Sequence, residues 1–212
     1  MGVPVSKKDG HAAFSQQKRE DIIAAAVCEF QRTGFDRTTM NQIAEAADVS
    51  KRTIYKHFSG KDELFLAIVQ ELLQRTESGP ELIYCPGQDL AEALGGHASG
   101  LIELMTTGSL QMLARVTLSR FLARPELVSQ TIGNHRRFQA RLTRWIKAAV
   151  ADGRLQAEDP DWMASVFMGL LKEFAFWPQI ISQEPNLSRA KQKKLVQWVV
   201  DLFLMRFALD DK

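Results

Sequence analysis

Apolar residues recur every three or four positions along most of the chain, which is the spacing of one face of an α-helix. The first periodic segment covers 15–33 and stops at Gly34, because glycine suits the left-handed position that closes a helix. Two short segments follow at 40–47 and 51–58, and a longer one occupies 62–78. Since no strand-like alternation competes with these segments, the pattern predicts an all-α protein.

Longer amphipathic segments fill the rest of the chain, beyond a loop that is rich in Gly and Pro. Their periodicity predicts four or five helices, within 89–107, 110–123, 125–152, 160–177 and 188–209. Residues 1–14 lack apolar periodicity and contain Gly and Pro, which is typical of a disordered leader. The predicted organisation is that leader, an N-terminal three-helix domain with a linking helix at 15–78, and a second all-helical domain at 79–212.

The two short segments have the pattern of a helix-turn-helix. Thr38 or Thr39 is placed to cap the first helix and Ser50 the second, with about three residues in the turn. Ile54 and Phe58 are four residues apart, so they share the inner face of the second helix. Its outer face carries Lys51, Arg52, Thr53, Tyr55 and Lys56. Such a helix fits the DNA major groove, where its first residues meet base edges and neighbouring cations meet phosphates.

Overall charge does not decide this interpretation, because the formal net charge is only +2. The positive charge is concentrated locally, since the segment from Ser50 to Lys61 has four Lys or Arg residues and no acid. The alternative is that this face is ordinary solvated surface and that Tyr55 is a packing aromatic. The turn spacing, the caps, the inner pair and the outer face agree with one another, so we interpret the segment as DNA-binding.

These residues resemble the signature of the TetR/AcrR family of transcriptional regulators, over roughly 15–70. The resemblance rests on Thr-Thr-Met-Asn-Gln-Ile-Ala at 38–44, on 49–58, and on Lys-Asp-Glu-Leu-Phe at 61–65. It implies phosphate contacts for Thr39, Tyr55, His57 and Lys61, and base contacts for Lys51, Arg52 and Thr53. We add Lys56 to the predicted phosphate contacts. Many members have glycine where this chain has Ala47-Asp48 and Arg52. The charged Arg52 therefore suggests a stronger contact with a base or a phosphate in this chain.

The last two long helices carry more apolar surface than the core of one chain needs. The resemblance implies a homodimer with a two-fold four-helix interface, and we expect these two helices to form it. The predicted interface residues are Phe167, Gly169, Leu170, Val199 and Phe203. The alternative is that both helices are simply central in the core of the monomer.

The other helices of the second domain are predicted to enclose a small-molecule effector, with flat or adaptable apolar side chains as walls. The predicted walls are Met105, Met112, Phe121 and Trp145. Each of these is also a suitable core residue, and together they predict a largely apolar, aromatic effector. Arg137, Arg141 and Arg144 form a basic stripe, which we interpret as a solvated face rather than as an anion site or a second DNA contact.

The sequence contains few motifs that would support another class of function. The four histidines are isolated from one another, and there is no phosphate-binding loop, nucleophile elbow or metal-spaced cluster, which argues against an enzyme, a cofactor or a metal site. Cys28 and Cys85 are far apart, which argues against a disulfide framework. No apolar run approaches the roughly 20 residues of a membrane span, and no signal peptide is apparent, so we expect a cytoplasmic protein.

The sequence therefore predicts a DNA-binding transcriptional regulator. We expect a repressor that binds double-stranded, palindromic operator DNA as a homodimer and is released by a small, largely apolar ligand. The alternative function is a DNA-binding factor without a small-molecule effector, which uses its C-terminal domain only for assembly or for protein partners.

Overall fold

The computed structural model describes residues 7–77, 79, 81–131 and 139–209, with side chains from residue 14 onward within those ranges. The described residues form helices joined by short loops, which confirms the predicted all-α fold. The helices are α1 (Lys7–Thr33), α2 (Met40–Ala46), α3 (Lys51–His57), α4 (Lys61–Glu77), α5 (Leu90–Met105), α6 (Gly108–Ala123), α7 (Glu126–Thr131), α8 (Ala140–Ala151), α9 (Pro160–Ala175), α10 (Trp177–Ile181) and α11 (Arg189–Phe207).

Three of the predicted helix boundaries need correction. Helix α1 begins at Lys7, so residues 7–14 of the predicted disordered leader are helical, and residues 1–6 lie outside the described residues. The Lys and Ala residues of this segment favour a helix, and Asp9 and Gly10 disfavour one, so composition alone does not place the start of α1. The predicted helix at 125–152 is not continuous, because Gln139 has non-helical dihedral angles before α8. Helix α9 ends before Phe176, because Pro178 has no N–H and its ring would clash with the carbonyl of Phe174 in a continuous helix.

The described chain divides into two compact units. Unit 1 comprises the described residues up to Leu72 together with Met112–Thr131, so α7 and most of α6 belong with the N-terminal helices rather than with the second domain as predicted. Its core includes the fully buried side chains of Ile22, Ile43, Ile54, Leu64 and Ile68. The rings of Phe65 and Phe121 meet edge to face at 6.0 Å, which joins α4 to α6 by a contact that sequence periodicity does not reveal.

Unit 2 comprises Leu73–Gln111 and the described part of 132–209. Helix α11 packs against α5 and α9, and α8 packs against α9. The core of this unit includes the side chains of Leu94, Trp145, Ile146 and Leu171, none more than 1% exposed. An isolated bridge between Leu155 and Ala208 ties the loop after α8 to the residues after α11.

The structure changes the assignment of the predicted interface residues. Phe167, Val199 and Phe203 are at most 2% exposed in the core of their own unit, where the rings of Phe167 and Phe203 lie 5.4 Å apart. They are covered by their own chain, so the prediction that they form the interface is wrong, while Gly169 is exposed and Leu170 is half-buried.

A second apolar face remains exposed on each of these two helices. We call these faces the outer stripes: Trp162, Val166 and Phe174 on α9, and Trp198, Leu202 and Met205 on α11. Periodicity shows which positions share a face of a helix. It does not show which of two apolar faces is covered by the same chain, and for this reason the sequence prediction selected the inner residues.

Candidate nucleic-acid interface

Helix α2 is fixed at its first turn by a capping box. The Thr39 hydroxyl accepts a hydrogen bond from the Gln42 N–H at 3.3 Å, and the Gln42 side-chain oxygen accepts one from the Thr39 N–H at 2.8 Å. This confirms Thr39 as the cap and satisfies donors that the first turn of a helix leaves unpaired. Thr38, the other predicted cap, is buried instead and donates to the carbonyl of Gly34 at 2.8 Å.

A tight turn joins α2 to α3. Asp48 has a φ of 50°, in the left-handed region, and the Val49 N–H donates to the carbonyl of Ala44 at 3.0 Å. Aspartate tolerates this region better than most residues, which explains how the chain makes the turn without a glycine at this position. Ser50 then caps α3, with its hydroxyl accepting from the Thr53 N–H at 3.0 Å.

The two faces of α3 have different environments. Ile54 is fully buried and Phe58 is 2% exposed, which confirms the predicted inner pair. The guanidinium of Arg19, from α1, lies 5.2 Å from the centre of the Phe58 ring. Of the predicted outer face, Lys51, Arg52, Tyr55 and Lys56 are exposed and Thr53 is half-buried. His57, a predicted phosphate contact, is also half-buried. The exposed surface therefore carries three cations and a phenol without an acid from the same helix.

The connection between α3 and α4 is also fixed by side chains. The Ser59 N–H and hydroxyl donate to the same Glu63 oxygen, at 2.6 and 2.8 Å. These hydrogen bonds lower the pKa of the Glu63 carboxyl, with the backbone N–H making the larger contribution. The carboxylate therefore stays ionised at the first turn of α4, where it is also favoured by the helix dipole.

Lys61 has partners that the sequence did not predict. Its ammonium donates to the carbonyls of Phe35 and Asp36, at 2.8 and 3.0 Å, and lies 4.9 Å from the centre of the Phe35 ring. These contacts hold the loop between α1 and α2 against the start of α4. In this structure the Lys61 side chain therefore supports the helix-turn-helix from inside unit 1 instead of projecting from the outer face.

Arg120 of α6 reinforces the same loop and was missed by sequence reasoning. Its guanidinium lies 3.9 Å from the centre of the Phe35 ring and reaches Asp36 at 3.4 Å and Asp62 at 3.6 Å. The side chain of Arg120 is only 11% exposed, whereas those of Asp36 and Asp62 are 88 and 90% exposed, so the two ion pairs lie at the surface and the buried part of the contact is the stacking on Phe35. A separation of 84 residues between Arg120 and Asp36 leaves no local pattern to predict this contact.

The predicted effector residues are divided between the two units. Met112 and Phe121 belong to unit 1, and Met105 and Trp145 belong to the core of unit 2. Phe121 packs against Phe65, and the Trp145 ring lies edge to face with Tyr84 at 5.7 Å. Met105, Phe121 and Trp145 are therefore buried core residues, while Met112 is half-buried, and the cavity in unit 2 is lined by other residues.

Within the described residues, no three His, Cys, Asp or Glu side chains are grouped so that they could hold a metal ion. Among the same residues, no helix combines the length and the apolar character that crossing a membrane requires.

A capped helix-turn-helix with an exposed basic face on its second helix defines a class of protein, the DNA-binding regulators. Residues 22–68 match the family model for bacterial regulatory proteins of the tetR family. Residues 92–209 match the model for the C-terminal domain of AefR-like transcriptional repressors. The chain belongs to the TetR family of transcriptional regulators.

Individual relatives agree with this assignment. A TetR-family regulator from Pseudomonas syringae pv. tomato has a solved structure that is 36% identical, with a TM-score of 0.80 over 91% of this chain and 98% of that chain. The structure of the flavonoid-responsive regulator FrrA is 25% identical, with a TM-score of 0.70 over 92% of this chain and 100% of that chain. The regulator TcmR of Streptomyces glaucescens is 28% identical over 141 residues, which span 63% of this chain and 60% of TcmR.

Members of the TetR family are transcriptional regulators rather than enzymes. They bind DNA, typically as dimers, and respond to small-molecule effectors. The present chain is therefore a DNA-binding transcription regulator, as its sequence predicted.

Proposed function

We propose that this regulator is a repressor that binds a palindromic operator as a homodimer and leaves it when a small molecule binds unit 2. The observation that carries this proposal is the exposed, acid-free outer face of α3, which is held in place by the caps at Thr39 and Ser50. A rigid cationic helix of this kind suits insertion into the major groove, because it is already ordered and loses little conformational entropy when DNA binds.

The residues at the start of α3 are proposed to read bases. Lys51 and Arg52 are exposed in the first turn, and Arg52 has the two parallel donors that recognise guanine in the major groove. Thr53 is assigned a base contact as well, although its hydroxyl already lies 2.8 Å from that of Ser50.

Phosphate contacts are proposed for Tyr55, Lys56 and His57, which follow the base-reading positions on α3, and for Thr39 at the N-cap of α2. Lys61 enters the proposal as a positioning residue, because its ammonium is hydrogen-bonded to the carbonyls of Phe35 and Asp36.

The outer stripes are the proposed dimer interface. On α11, Trp198, Leu202 and Met205 are 56, 53 and 80% exposed in the single chain. Helices α9 and α11 pack against each other, so two stripes from each of two copies fit a four-helix arrangement around a two-fold axis. Apolar side chains of this size form the core of protein interfaces, where they are protected from water.

A DNA-binding factor without an effector is the second candidate function. The cavity in unit 2 favours the effector-responsive regulator, and the name of FrrA records a response to flavonoids in that relative. Melting temperatures measured against a library of small molecules separate the two candidates, because a ligand that binds only the folded state raises its stability.

The DNA-binding claim is tested with a pool of random double-stranded DNA. The full chain is expected to enrich a palindromic sequence, and the double variant Lys51→Gln/Lys56→Gln is expected to lose binding. Its matched control is Lys191→Gln/Lys193→Gln, which removes the same charge from exposed positions on α11. Equal loss of affinity in both double variants would show that binding depends on total charge and not on α3.

A further inference from the structure

Unit 2 contains a cavity of about 370 Å³, which is lined by the end of α4, by α5 and by the start of α8. The volume lies within the range of small-molecule binding sites. Part of its wall is apolar and well buried, with Leu101 8% and Leu142 0% exposed. The buried His97 contributes a polar group to the same wall. The other lining residues are mostly polar or charged, so a ligand in this cavity meets a polar wall with an apolar part at Leu101, Ala140 and Leu142.

Charge in the cavity is unevenly distributed. Arg141 and Arg144 both line it from α8, and their spacing of three residues puts them on one face of that helix. Glu77 is the one acid among the described lining residues, and it is exposed. Two guanidinium groups beside an apolar wall are the arrangement that recognises an acidic group carried on an apolar molecule. The sequence alone favoured a solvated face for Arg137, Arg141 and Arg144; Arg137 lies outside the described residues, and Arg144 is exposed but lines the cavity with Arg141.

Arg141 also holds the end of a neighbouring helix. Its guanidinium donates to the backbone carbonyls of Glu77 and Gly79. The carbonyls in the last turn of a helix lack partners within the helix, so Arg141 caps the C-terminal end of α4. Helix α4 also contributes residues 61–72 to unit 1, which contains the helix-turn-helix. The capping contact is thus made on a helix that is covalently continuous with the DNA-binding unit.

We propose that this cavity is the effector site and that the effector is a small organic anion, whose acidic group pairs with Arg141 and Arg144. Its apolar body lies against Leu101 and Leu142. An anionic oxygen is a stronger acceptor for a guanidinium than a peptide carbonyl, so the ligand draws Arg141 away from Glu77 and Gly79 and uncaps α4. The effect on DNA binding rests on the function proposed above, whereas the anion site itself does not.

The first test uses benzoate, cinnamate and octanoate as probes, each compared with its neutral amide. Calorimetric titration and melting curves are recorded on the full chain. We expect at least one acid to bind and to raise the melting temperature, while its amide binds at least tenfold more weakly. Absence of binding by all three acids, or equal binding of acids and amides, would overturn the proposal.

The second test locates the site. We expect Arg144→Gln to weaken binding of the responding acid about tenfold or more, because it removes a charge-assisted contact from an exposed side chain. Lys147→Gln removes the same charge from an exposed position on the same helix that does not line the cavity, and it should change the dissociation constant less than about twofold. Equal weakening by both variants would assign the effect to general electrostatics and overturn the site.

Operator release, measured on the same samples, distinguishes a failure of the anion site from a failure of ligand-released repression. An acid that binds through Arg144 without releasing DNA supports the anion site and contradicts ligand-released repression. A neutral amide that releases DNA as well as its acid overturns the anion site and leaves ligand-released repression intact. Arg141→Gln adds a structural readout, because loss of the cap should increase hydrogen exchange at the end of α4 even without ligand.

Discussion

Helix α3 of unit 1 and helix α11 of unit 2 each bury one face in their own unit, but they expose opposite chemistry on the other. The exposed face of α3 carries Arg52 and Lys56, whereas that of α11 carries Trp198, Leu202 and Met205. Water solvates cations well, but a folded chain seldom leaves an apolar stripe of this kind uncovered. The exposed face of α3 therefore suits a polyanion, and the exposed face of α11 suits another apolar protein surface.

The largest expected effect is the difference in stability between substitutions on the inner and the outer face of α3. Phe58→Ala should lower the free energy of unfolding by about 3 to 5 kcal/mol, because it leaves a cavity beside Ile54. Tyr55→Ala, at a side chain that is 47% exposed, should change that free energy by less than about 0.5 kcal/mol and still weaken DNA binding. Denaturant unfolding of both variants measures the contrast. A large loss of stability in Tyr55→Ala would make Tyr55 a packing residue.

The next effect tests the apolar surface of α11. Leu202→Glu should weaken dimer formation at least about a hundredfold, because it places an unpaired carboxylate in the proposed interface. Ile83→Glu is the matched control, since Ile83 is 66% exposed and lies outside the outer stripes. Light scattering and sedimentation give the oligomeric state of each variant. A dimer that survives Leu202→Glu unchanged would exclude α11 from the interface and contradict the assignment of its apolar face to another protein surface.

Smaller effects are expected at the two turns of the helix-turn-helix domain. Gly34 has a φ of 84°, so Gly34→Ala should cost about 1 to 2 kcal/mol through backbone strain. Asp48→Gly should be neutral or stabilising by up to about 1 kcal/mol, because relief of strain is partly offset by the entropy of glycine. Thermal unfolding of both variants shows whether Gly34→Ala lowers the stability while Asp48→Gly leaves it unchanged or raises it. Destabilisation by Asp48→Gly would mean that the Asp48 side chain makes the turn by a contact of its own.

The smallest effect concerns a hydrogen bond in unit 2. Desolvation, and then the hydrogen bond to Asp152 at 2.6 Å, raise the pKa of Tyr84 to about 12. Because this folded-state pKa lies above the ordinary value of about 10, the hydrogen bond contributes stability below pH 10 and loses it as the pH rises towards 12. Tyr55→Phe leaves Tyr84 as the one tyrosine of the sequence, so its ultraviolet titration is directly readable. A midpoint near pH 10 would show that the phenol is not protected.

The features that sequence predicted well depend on neighbouring residues. The caps at Thr39 and Ser50 and the inner pair of Ile54 and Phe58 follow from spacings of a few positions, and each is present in the structure. The start of α1 at Lys7 shows the weakness of the same reasoning, because a helix can extend beyond its apolar face into a segment of mixed helix propensity.

The features that sequence missed depend on tertiary packing. Arg120 approaches Asp36 from 84 residues away, and Arg141 reaches the end of α4 from 64 residues beyond Glu77. Neither contact leaves a periodic signal in the sequence. For α9 and α11 the periodic signal was present but ambiguous, since Phe203 and Leu202 both belong to apolar faces and only packing decides which face is buried.

The central claim is that α3 reads the operator, and Arg52→Ala tests it most directly. Affinities of the unmodified chain, Arg52→Ala and Lys56→Ala are measured across several salt concentrations, on the enriched palindrome and on a scrambled DNA of equal composition. Arg52→Ala is expected to lose about 1 to 3 kcal/mol per half-site on the palindrome and much less on scrambled DNA. Lys56→Ala should weaken both DNAs alike and reduce the slope of log affinity against log salt by about one for each lost contact. If Arg52→Ala discriminates between the two DNAs as well as the unmodified chain does, Arg52 does not read bases and the account of α3 is contradicted.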